Sequence, residues 1–285
     1  MAEDREFITS LARGLSVIHA FDRDHPQQTL SEVAARTGLS PATARRCLWT
    51  LERLGYVASS GRFFMLRPKV VSLGSAFLES GRIEEVIQPI LRDIVAESGD
   101  SASLGVLEDS DVLYVANFSA RRFVRLTAGV GSRFPAYAVS MGRILLAALP
   151  EQQLDRYLAT ADLVALTPLT ITDRKKLRKL IDKARRDGFI IVRDELEEGL
   201  AAVAVPVRLK SGRTVAALNC SSLSRRLDND DTLQDRVELL QRAAHRVTEA
   251  LQLIPSLGAS LGLPSELEAG PSDKAQGKIA GRGRR

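Results

Sequence analysis

Residues 30–46, LSEVAARTGLSPATARR, decide the fold of the first part of the chain. The first eight are alanine-rich and predict a helix of about two turns, ended by Gly38, which can adopt a positive φ. Ser40 and Pro41 predict the start of a second helix, because a serine oxygen accepts first-turn amide hydrogens and proline loses no needed hydrogen bond there. A short helix, a glycine turn and a longer helix are typical of a helix-turn-helix.

The second helix, predicted over residues 41–54, has two contrasting faces. One is apolar and is expected to pack: Ala44, Cys47, Leu48, Leu51 and Leu54. The other offers hydroxyl and guanidinium groups, which suit a helix that enters the DNA major groove. The DNA-binding candidates on it are Ser40, Thr43, Arg45, Arg46 and Thr50. An ordinary solvated face is the alternative interpretation, and Trp49 is predicted to be a packing residue.

The flanking segments complete a winged helix-turn-helix. Residues 10–21 predict a helix with an apolar face that is expected to be buried, formed by Leu11, Leu15, Ile18 and Phe21. Residues 56–58 and 63–66 predict two strands around a turn, with the sixth DNA-binding candidate, Arg62, at the tip of the wing. This order of elements favours DNA binding, whereas a winged helix that binds only protein is the main alternative.

The rest of the chain predicts an α+β organisation. Helical patterns cover residues 68–81 and 83–95, and Pro89 either kinks the second helix or marks a new one. Strands are predicted at 102–107, 112–118, 123–127, 189–193, 200–207 and 214–220. Helices are predicted at 141–149, 151–159, 173–187, capped by Thr172, and 231–251. Helices would therefore bracket a mostly antiparallel sheet.

These patterns predict four regions. Residues 1–66 form the winged helix-turn-helix, 67–82 a linker helix, 83–253 a larger domain and 254–285 a disordered basic tail. The net charge of +5 follows this division, with +3 in residues 1–70, +4 in residues 273–285 and −2 between them. An anion-binding end module beside a near-neutral body is expected from that distribution.

Several classes of protein are excluded by what the sequence lacks. No apolar stretch approaches the roughly 18 residues that span a bilayer. The two cysteines, Cys47 and Cys220, favour a reduced, cytoplasmic protein. Motifs for nucleophilic catalysis, phosphate loops, dinucleotides and metals are missing, and the acidic cluster around Glu195 is of a kind that is usually solvated. We therefore expect no enzyme, no metal and no cofactor.

A small-molecule site is the more natural use of the larger domain. Asn219, Ser221 and Ser222 on the last predicted strand would face the helix start at residues 139–142. Hydroxyls, an amide and free backbone N–H groups in an apolar setting suit a carboxylate or hydroxylated ligand. The alternative interpretation is that Ser140 only caps its helix.

Several stretches resemble the IclR family of bacterial transcriptional regulators. They are FITSLARGL at 7–15, LSEVA at 30–34, ARR at 44–46, LGYV at 54–57 and PAYAVSMGR at 135–143. The first, and the Leu-Asn-Cys-Ser end of the last strand, are similar to the branch that controls protocatechuate, 4-hydroxybenzoate and β-ketoadipate catabolism. The resemblance implies a winged helix-turn-helix joined to a GAF-like effector domain. It also implies a homodimer or homotetramer on double-stranded operator DNA, with RNA polymerase as a further expected partner.

The resemblance further implies an effector pocket formed by Ser140, Met141, Ala201, Ala202, Asn219 and Ser221. Ala202 stands where some relatives carry cysteine, and Asn219 where many carry serine, so the ligand itself is not implied. Arg133 and Tyr137 are added as a pair suited to an aromatic acid. The resulting hypothesis is a DNA-binding regulator controlled by a small aromatic or dicarboxylic acid. Its alternative is a ligand-responsive protein-interaction module without sequence-specific DNA binding.

Overall fold

The computed structural model describes residues 7–22, 24–80, 83–119, 129–254 and 257–258. It divides into two compact units, Met1–Phe77 and Leu78–Arg285. The division falls inside the helix that sequence analysis interprets as a linker. The predicted strand at 123–127 and almost all of the predicted tail lie outside the described residues.

The first unit contains three helices and a small sheet. Its elements are α1 (Thr9–His19), β1 (Gln27–Thr29), α2 (Leu30–Thr37), α3 (Pro41–Arg53), β2 (Val57–Ser60) and β3 (Phe63–Leu66). The strands are antiparallel in the order β1-β3-β2. The predicted helices and hairpin are present, and β1 is an addition that sequence analysis missed.

Local side chains define both helices of the helix-turn-helix. Thr29 and Glu32 form a reciprocal capping box at the start of α2, so two free backbone N–H groups gain partners. Gly38 ends α2 with φ 66°, which costs a glycine little. The Ser40 hydroxyl accepts from the backbone N of Thr43, as the predicted cap of α3 requires. The turn between the helices is therefore set by the sequence on both sides of it.

The core of the first unit holds only part of the apolar face of α1. Val17, Ile18 and Phe21 are buried and pack with Leu48 from α3. Leu11 is 60% exposed and Leu15 is also exposed, so the prediction that this whole face is buried in the fold is wrong. The reason is that only the C-terminal half of α1 reaches the core. Its N-terminal half and the two residues before it present an apolar stripe, defined as Phe7, Ile8, Leu11 and Leu15.

A 3₁₀ turn at Pro68–Val70 leads into α4 (Val71–Ser80), and the second unit continues the chain. Its helices are α5 (Ile83–Ser98), α6 (Ser140–Ala147), α7 (Glu151–Thr160), α8 (Arg174–Asp187) and α9 (Asp230–Leu253). Its strands are β4 (Ser101–Glu108), β5 (Asp111–Phe118), β6 (Arg133–Pro135), β7 (Ile190–Arg193), β8 (Leu200–Arg208) and β9 (Thr214–Leu223).

The six strands form one antiparallel sheet in the order β6-β5-β4-β9-β8-β7. Helices α5 and α9 pack on each other and on the central strands, and α6 packs on α8 and on the β8–β9 end of the sheet. The predicted α+β class, a winged helix-turn-helix followed by an antiparallel sheet bracketed by helices, is confirmed. None of the helices in the described ranges is both long and apolar enough to cross a membrane.

Three local details of the second unit correct or complete the sequence-based predictions. Pro89 lies inside α5, so no new helix begins there. The cap of α8 is Asp173, whose carboxylate accepts from the backbone N of Lys176, and the predicted cap Thr172 is wrong. Gly142 lets α6 lie against the 3₁₀ turn at Ala136–Ala138, because a Cβ at this position would collide with the backbone of Ala136.

Candidate functional site

The exposed face of α3 carries most of the DNA-binding candidates. Ala44, Leu48 and Leu51 point into the core, which turns Arg45, Arg46 and Thr50 to solvent. Neither Arg45 nor Arg46 has a carboxylate partner among the described residues, so both guanidinium groups are free to bind an anion. This arrangement matches what a recognition helix needs.

The hydroxyl candidates on α3 are already engaged with the helix itself. The Ser40 and Thr43 hydroxyl oxygens lie 3.0 Å apart. The Thr50 hydroxyl donates to the carbonyl of Arg46 at 2.8 Å. Ser40 and Thr43 therefore shape the N-terminus of the helix, while the arginines hold the free hydrogen-bond donors.

The wing places Arg62 at its tip. Gly61 has φ 60° and makes the tight turn between β2 and β3. Arg62 is exposed, and its guanidinium carbon lies 5.1 Å from the ring centroid of Phe63. No salt bridge holds Arg62 in the described part of the chain. The pKa of the Glu32 carboxyl is lowered mainly by its hydrogen bonds with Thr29, and the charge of Arg62 adds to that effect. The exposed guanidinium of Arg62 can donate to an anion, as its predicted role at the tip of the wing requires.

Trp49 does not pack in the core, contrary to the sequence-based prediction. It lies on the exposed face of α3 with 57% of its surface accessible, and the guanidinium carbon of Arg53 lies 4.7 Å from its ring centroid. Helix periodicity explains the difference, because Trp49 is one position beyond the buried Leu48 and faces away from it. Cys47 is half-buried, and burial raises the pKa of its thiol.

A small cavity opens between the start of α6 and strands β8 and β9. Its volume is about 50 Å³, several times the roughly 10–15 Å³ that one water requires. The lining residues are mainly apolar with a few polar groups: Tyr114, Ala138, Val139, Ser140, Val192, Leu196, Leu200, Ala202, Asn219 and Ser221. Four of the predicted effector residues, Ser140, Ala202, Asn219 and Ser221, are therefore brought together.

Two buried side-chain oxygen atoms of the cavity lack hydrogen-bond partners. Ser140 is 1% exposed and Asn219 is 3% exposed. Neither Ser140 Oγ nor Asn219 Oδ1 has a hydrogen-bond partner. The N-cap of α6 is Val139 and receives no side-chain cap bond, so the alternative interpretation of Ser140 as a cap is wrong. Unsatisfied buried oxygens are uncommon in folded proteins, and here they line a space that a ligand can fill.

Tyr114 adds a third polar group that sequence analysis missed. It lies on β5, and its ring packs edge-on against Phe134 with centroids 5.1 Å apart. Burial raises the pKa of Tyr114, and a hydrogen bond with the Asn219 side chain offsets only part of that effect. The phenol is therefore neutral over the physiological range. The signal was present in the alternation of β5, where Tyr114 follows Val112 on the same face.

The remaining effector candidates lie elsewhere. Met141 is fully buried in the core cluster beneath α6 and does not line the cavity. Ala201 neighbours Ala202 on β8, so it points to the opposite face of the sheet. Residues next to the cavity in sequence therefore divide between its lining and the surrounding core.

The structure also does not bring Arg133 and Tyr137 together on a ligand. Arg133 lies at the β4–β5 hairpin, 3.3 Å from the carboxylate of Glu108 and 3.5 Å from that of Asp111. The Tyr137 hydroxyl donates to the carbonyl of Val164 at 2.8 Å. Both side chains are occupied by the protein itself, which argues against their proposed pairing with an aromatic acid.

A buried ion pair joins α6 to the loop that carries one wall of the cavity. Arg143 is 1% exposed, and its Nη2 lies 2.5 Å from Glu195 Oε2. Arg143 Nε donates to the carbonyl of Tyr137, and Glu195 accepts from the backbone N of Ile171. The expectation that Glu195 is solvated is therefore wrong. Leu196, which lines the cavity, follows Glu195 directly, so the pair supports that wall.

Two family matches cover the two units of the fold. Residues 10–61 match the IclR helix-turn-helix domain, and residues 75–249 match the bacterial transcriptional regulator IclR C-terminal domain. The chain belongs to the IclR family. IclR proteins are bacterial transcriptional regulators, so the predicted class of DNA-binding regulator is confirmed.

Relatives within the IclR family agree with the predicted branch. The Pca regulon regulatory protein of Pseudomonas putida is 40% identical over 249 residues, which cover 87% of this chain and 86% of that protein. The p-hydroxybenzoate hydroxylase transcriptional activator of Acinetobacter baylyi is 33% identical over 247 residues, or 85% and 91% of the two chains. The crystal structure of an IclR homolog complexed with 4-hydroxybenzoate, from Microbacterium hydrocarbonoxydans, is 28% identical. It has a TM-score of 0.66 and covers 88% of this chain and 99% of that one.

Proposed function

We propose that this IclR-family regulator binds operator DNA through α3 and the wing, and that a small carboxylic acid from aromatic catabolism controls that binding. The effector occupies the cavity formed by Ser140, Ala202, Asn219, Ser221 and their apolar neighbours. The DNA contacts come from Arg45, Arg46 and Arg62, with α3 entering the major groove.

The observation that carries the effector assignment is the pair of unpartnered oxygens. A buried polar group without a hydrogen bond costs about 1–3 kcal/mol. A ligand that hydrogen-bonds to Ser140 Oγ and Asn219 Oδ1 removes that cost on binding, and so gains affinity from atoms already in place. The same atoms select for a ligand with both donor and acceptor groups.

The lining favours an acid with one carboxylate and a neutral polar end. Among the described residues around the cavity there is no cationic side chain, so a second carboxylate would be buried without a counter-charge, which is costly. One carboxylate is favoured at the start of α6, where free backbone N–H groups and the helix dipole attract negative charge. A hydroxyl at the other end fits Asn219 and Tyr114. A hydroxybenzoate meets this description better than β-ketoadipate, and 4-hydroxybenzoate is bound in one solved homolog.

The test is a direct binding screen of the full chain. Calorimetry and thermal-shift measurements with 4-hydroxybenzoate, protocatechuate and β-ketoadipate should rank the two aromatic acids above the dicarboxylate. Ligand at 100 times its Kd stabilises the folded state by about 2.7 kcal/mol, which raises the melting temperature. Tighter binding of β-ketoadipate would overturn the charge argument, and binding of none of the three would overturn the effector class.

The alternative function is a ligand-responsive protein-interaction module. An electrophoretic shift with DNA from upstream of the neighbouring genes separates the two. A saturable shift at physiological salt, reversed by an excess of the same specific fragment and not by unrelated DNA, supports the regulator. Ligand binding without any specific DNA shift supports the interaction module.

Assembly, location and catalysis are part of the same proposal. The apolar stripe of α1 supports a homodimer or homotetramer, because a second copy would cover it. A cytoplasmic regulator with RNA polymerase as a further partner follows from a role at promoters. Binding rather than catalysis is proposed for the cavity, whose described lining contains no histidine or carboxylate to act as a general base.

A further inference from the structure

The exposed face of α3 includes a large aromatic side chain that the assignment of DNA contacts above leaves unused. Ala42, Arg46, Trp49 and Arg53 follow one another at spacings of four, three and four residues, so they share one side of the helix. Trp49 is 57% exposed at the middle of this row. It therefore lies on the same surface as the free guanidinium group of Arg46.

Arg53 is held against this ring. Its guanidinium carbon lies 4.7 Å from the Trp49 centroid, within the distance of a cation–π contact. No carboxylate among the described residues pairs with Arg53. Contact with the ring restrains the guanidinium, and its N–H groups can still donate to an outside acceptor.

Charge identifies the partner that covers this face. The indole lies among Arg45, Arg46 and Arg53, all exposed and without carboxylate partners in the described ranges. This positive charge favours a negatively charged partner such as DNA over a protein surface with few acidic residues. In the major groove the apolar group available to an indole is the C5-methyl of thymine. A duplex thus offers phosphates to the arginines and a methyl group to the ring.

We infer that Trp49 is a specificity-determining residue that contacts a thymine methyl in the operator, and that Arg53, positioned by stacking on Trp49, donates to a neighbouring phosphate. The inference rests on the proposed operator binding and adds the base preference at one position of each half-site. The proposed contacts are non-covalent and lie in the major groove, and no base leaves the duplex.

The experiment uses the full chain and its operator fragment, with thymines of the half-site replaced one at a time by deoxyuridine. Loss of the contacted methyl should weaken binding of the wild-type chain about fourfold, the effect of one buried methyl group. Trp49→Ala should bind the normal operator about tenfold more weakly and show no further loss with uracil. Uracil placed outside the protected region is the matched DNA control.

Two further measurements need no assumption about which thymine is contacted. Trp49 is the single tryptophan of the chain, so its fluorescence reports on this face alone. Operator binding should shift its emission to shorter wavelength and reduce it. Arg53→Gln should reduce the slope of log affinity against log salt by about one, and Trp49→Ala should reduce it by part of that amount.

The outcomes distinguish this inference from the proposed function. If the wild-type chain shifts no upstream DNA fragment in electrophoresis, operator binding is overturned, and the Trp49 contact with it. A chain that shifts the operator normally, with unchanged Trp49 emission and no uracil effect at any thymine, overturns the contact alone. Emission changes with free protein concentration instead of DNA would assign the face to contact between copies, and would also overturn it.

Discussion

Asn219 both packs within the sheet and presents a polar side chain to the cavity. Asn219 lies in the middle of the sheet, opposite Ser103 on β4 and Ala204 on β8, and its side chain lines the cavity. Its Oδ1 lacks a partner while the rest of the side chain contacts Tyr114. A leucine of similar size would fill the same volume, remove the polar recognition and leave the Tyr114 hydroxyl without its Asn219 partner, so it separates the packing of position 219 from its hydrogen bonds.

The first prediction follows from that separation. Asn219→Leu should lower effector affinity about tenfold, because it removes one hydrogen bond and leaves the ligand hydroxyl buried without that partner, which costs about 1–3 kcal/mol. Operator binding without effector should be unchanged. Calorimetry and gel shift measure the two effects, and Thr214→Val at the start of the same strand is the control. Equal effector affinity in Asn219→Leu and the wild type would contradict the site.

Arg46 is the second residue whose role can be isolated. Arg46→Ala should weaken operator binding by about 1–3 kcal/mol if the guanidinium makes a bidentate base contact. The measurement is a titration at fixed salt, since affinity for DNA varies steeply with ionic strength. Arg186→Ala, which removes one exposed positive charge from α8 in the other unit, should leave affinity nearly unchanged. Equal losses of operator affinity in both variants would show that Arg46 contributes only its positive charge.

Among the elements, α2 is too short to be stable by itself. It has eight residues, whereas isolated helices shorter than about 12–15 residues are marginal in water. The capping box of Thr29 and Glu32 and the packing of Val33 therefore hold it in place. Since α2 and the turn after it orient α3, the cap contributes to the geometry of the recognition helix.

Removal of this cap gives the third prediction. Thr29→Ala should lower the free energy of unfolding of the first unit by about 1 kcal/mol, the usual effect of losing an N-cap. Urea denaturation followed by the fluorescence of Trp49 reports on this unit. Ser31→Ala, at an exposed position of the same helix, is the control and should change little. A loss in Ser31→Ala equal to that in Thr29→Ala would show that the effect is not capping.

Some elements of the fold can be predicted from the sequence and others cannot. The long helices and the central strands were predicted because their periodicity and caps are local features of the chain. Strand β1 was missed since it is defined by pairing with β3, about 35 residues away, and has no pattern of its own. The burial of Glu195 and the exposure of Trp49 were missed for a related reason. Glu195 is buried because the fold supplies Arg143 as its partner, and Trp49 is exposed because its side of α3 is turned away from the core.

For the whole molecule, the apolar stripe of α1 is the feature that supports the proposed assembly of two or more copies. Phe7, Ile8, Leu11 and Leu15 are all exposed in the single chain. A regulator on a two-fold symmetric operator needs two recognition helices. We propose that the stripe packs against the same stripe of a second copy, which is the isologous contact typical of symmetric dimers.

The fourth prediction tests this assembly. Leu11→Glu should convert dimers into monomers at micromolar concentration, because it places a charge at the centre of an apolar contact. Light scattering after size-exclusion chromatography gives the mass directly. Ser31→Glu, which adds the same charge on α2, should leave the mass unchanged. Monomers in the wild type would overturn the proposed assembly, and dimers in Leu11→Glu would place the contact outside α1.

The order of strands in the large sheet also has a consequence for how the chain is made. β4 is the first strand of the sheet and β9 the last, and they pair at its centre, with Ser101 opposite Ser221. The sheet therefore cannot close until almost the whole domain has left the ribosome, and such long-range pairing folds slowly. The helix-turn-helix is built from contacts within the first seventy residues and can form much earlier. A nascent chain thus acquires the means to hold DNA well before it acquires the means to respond to a metabolite.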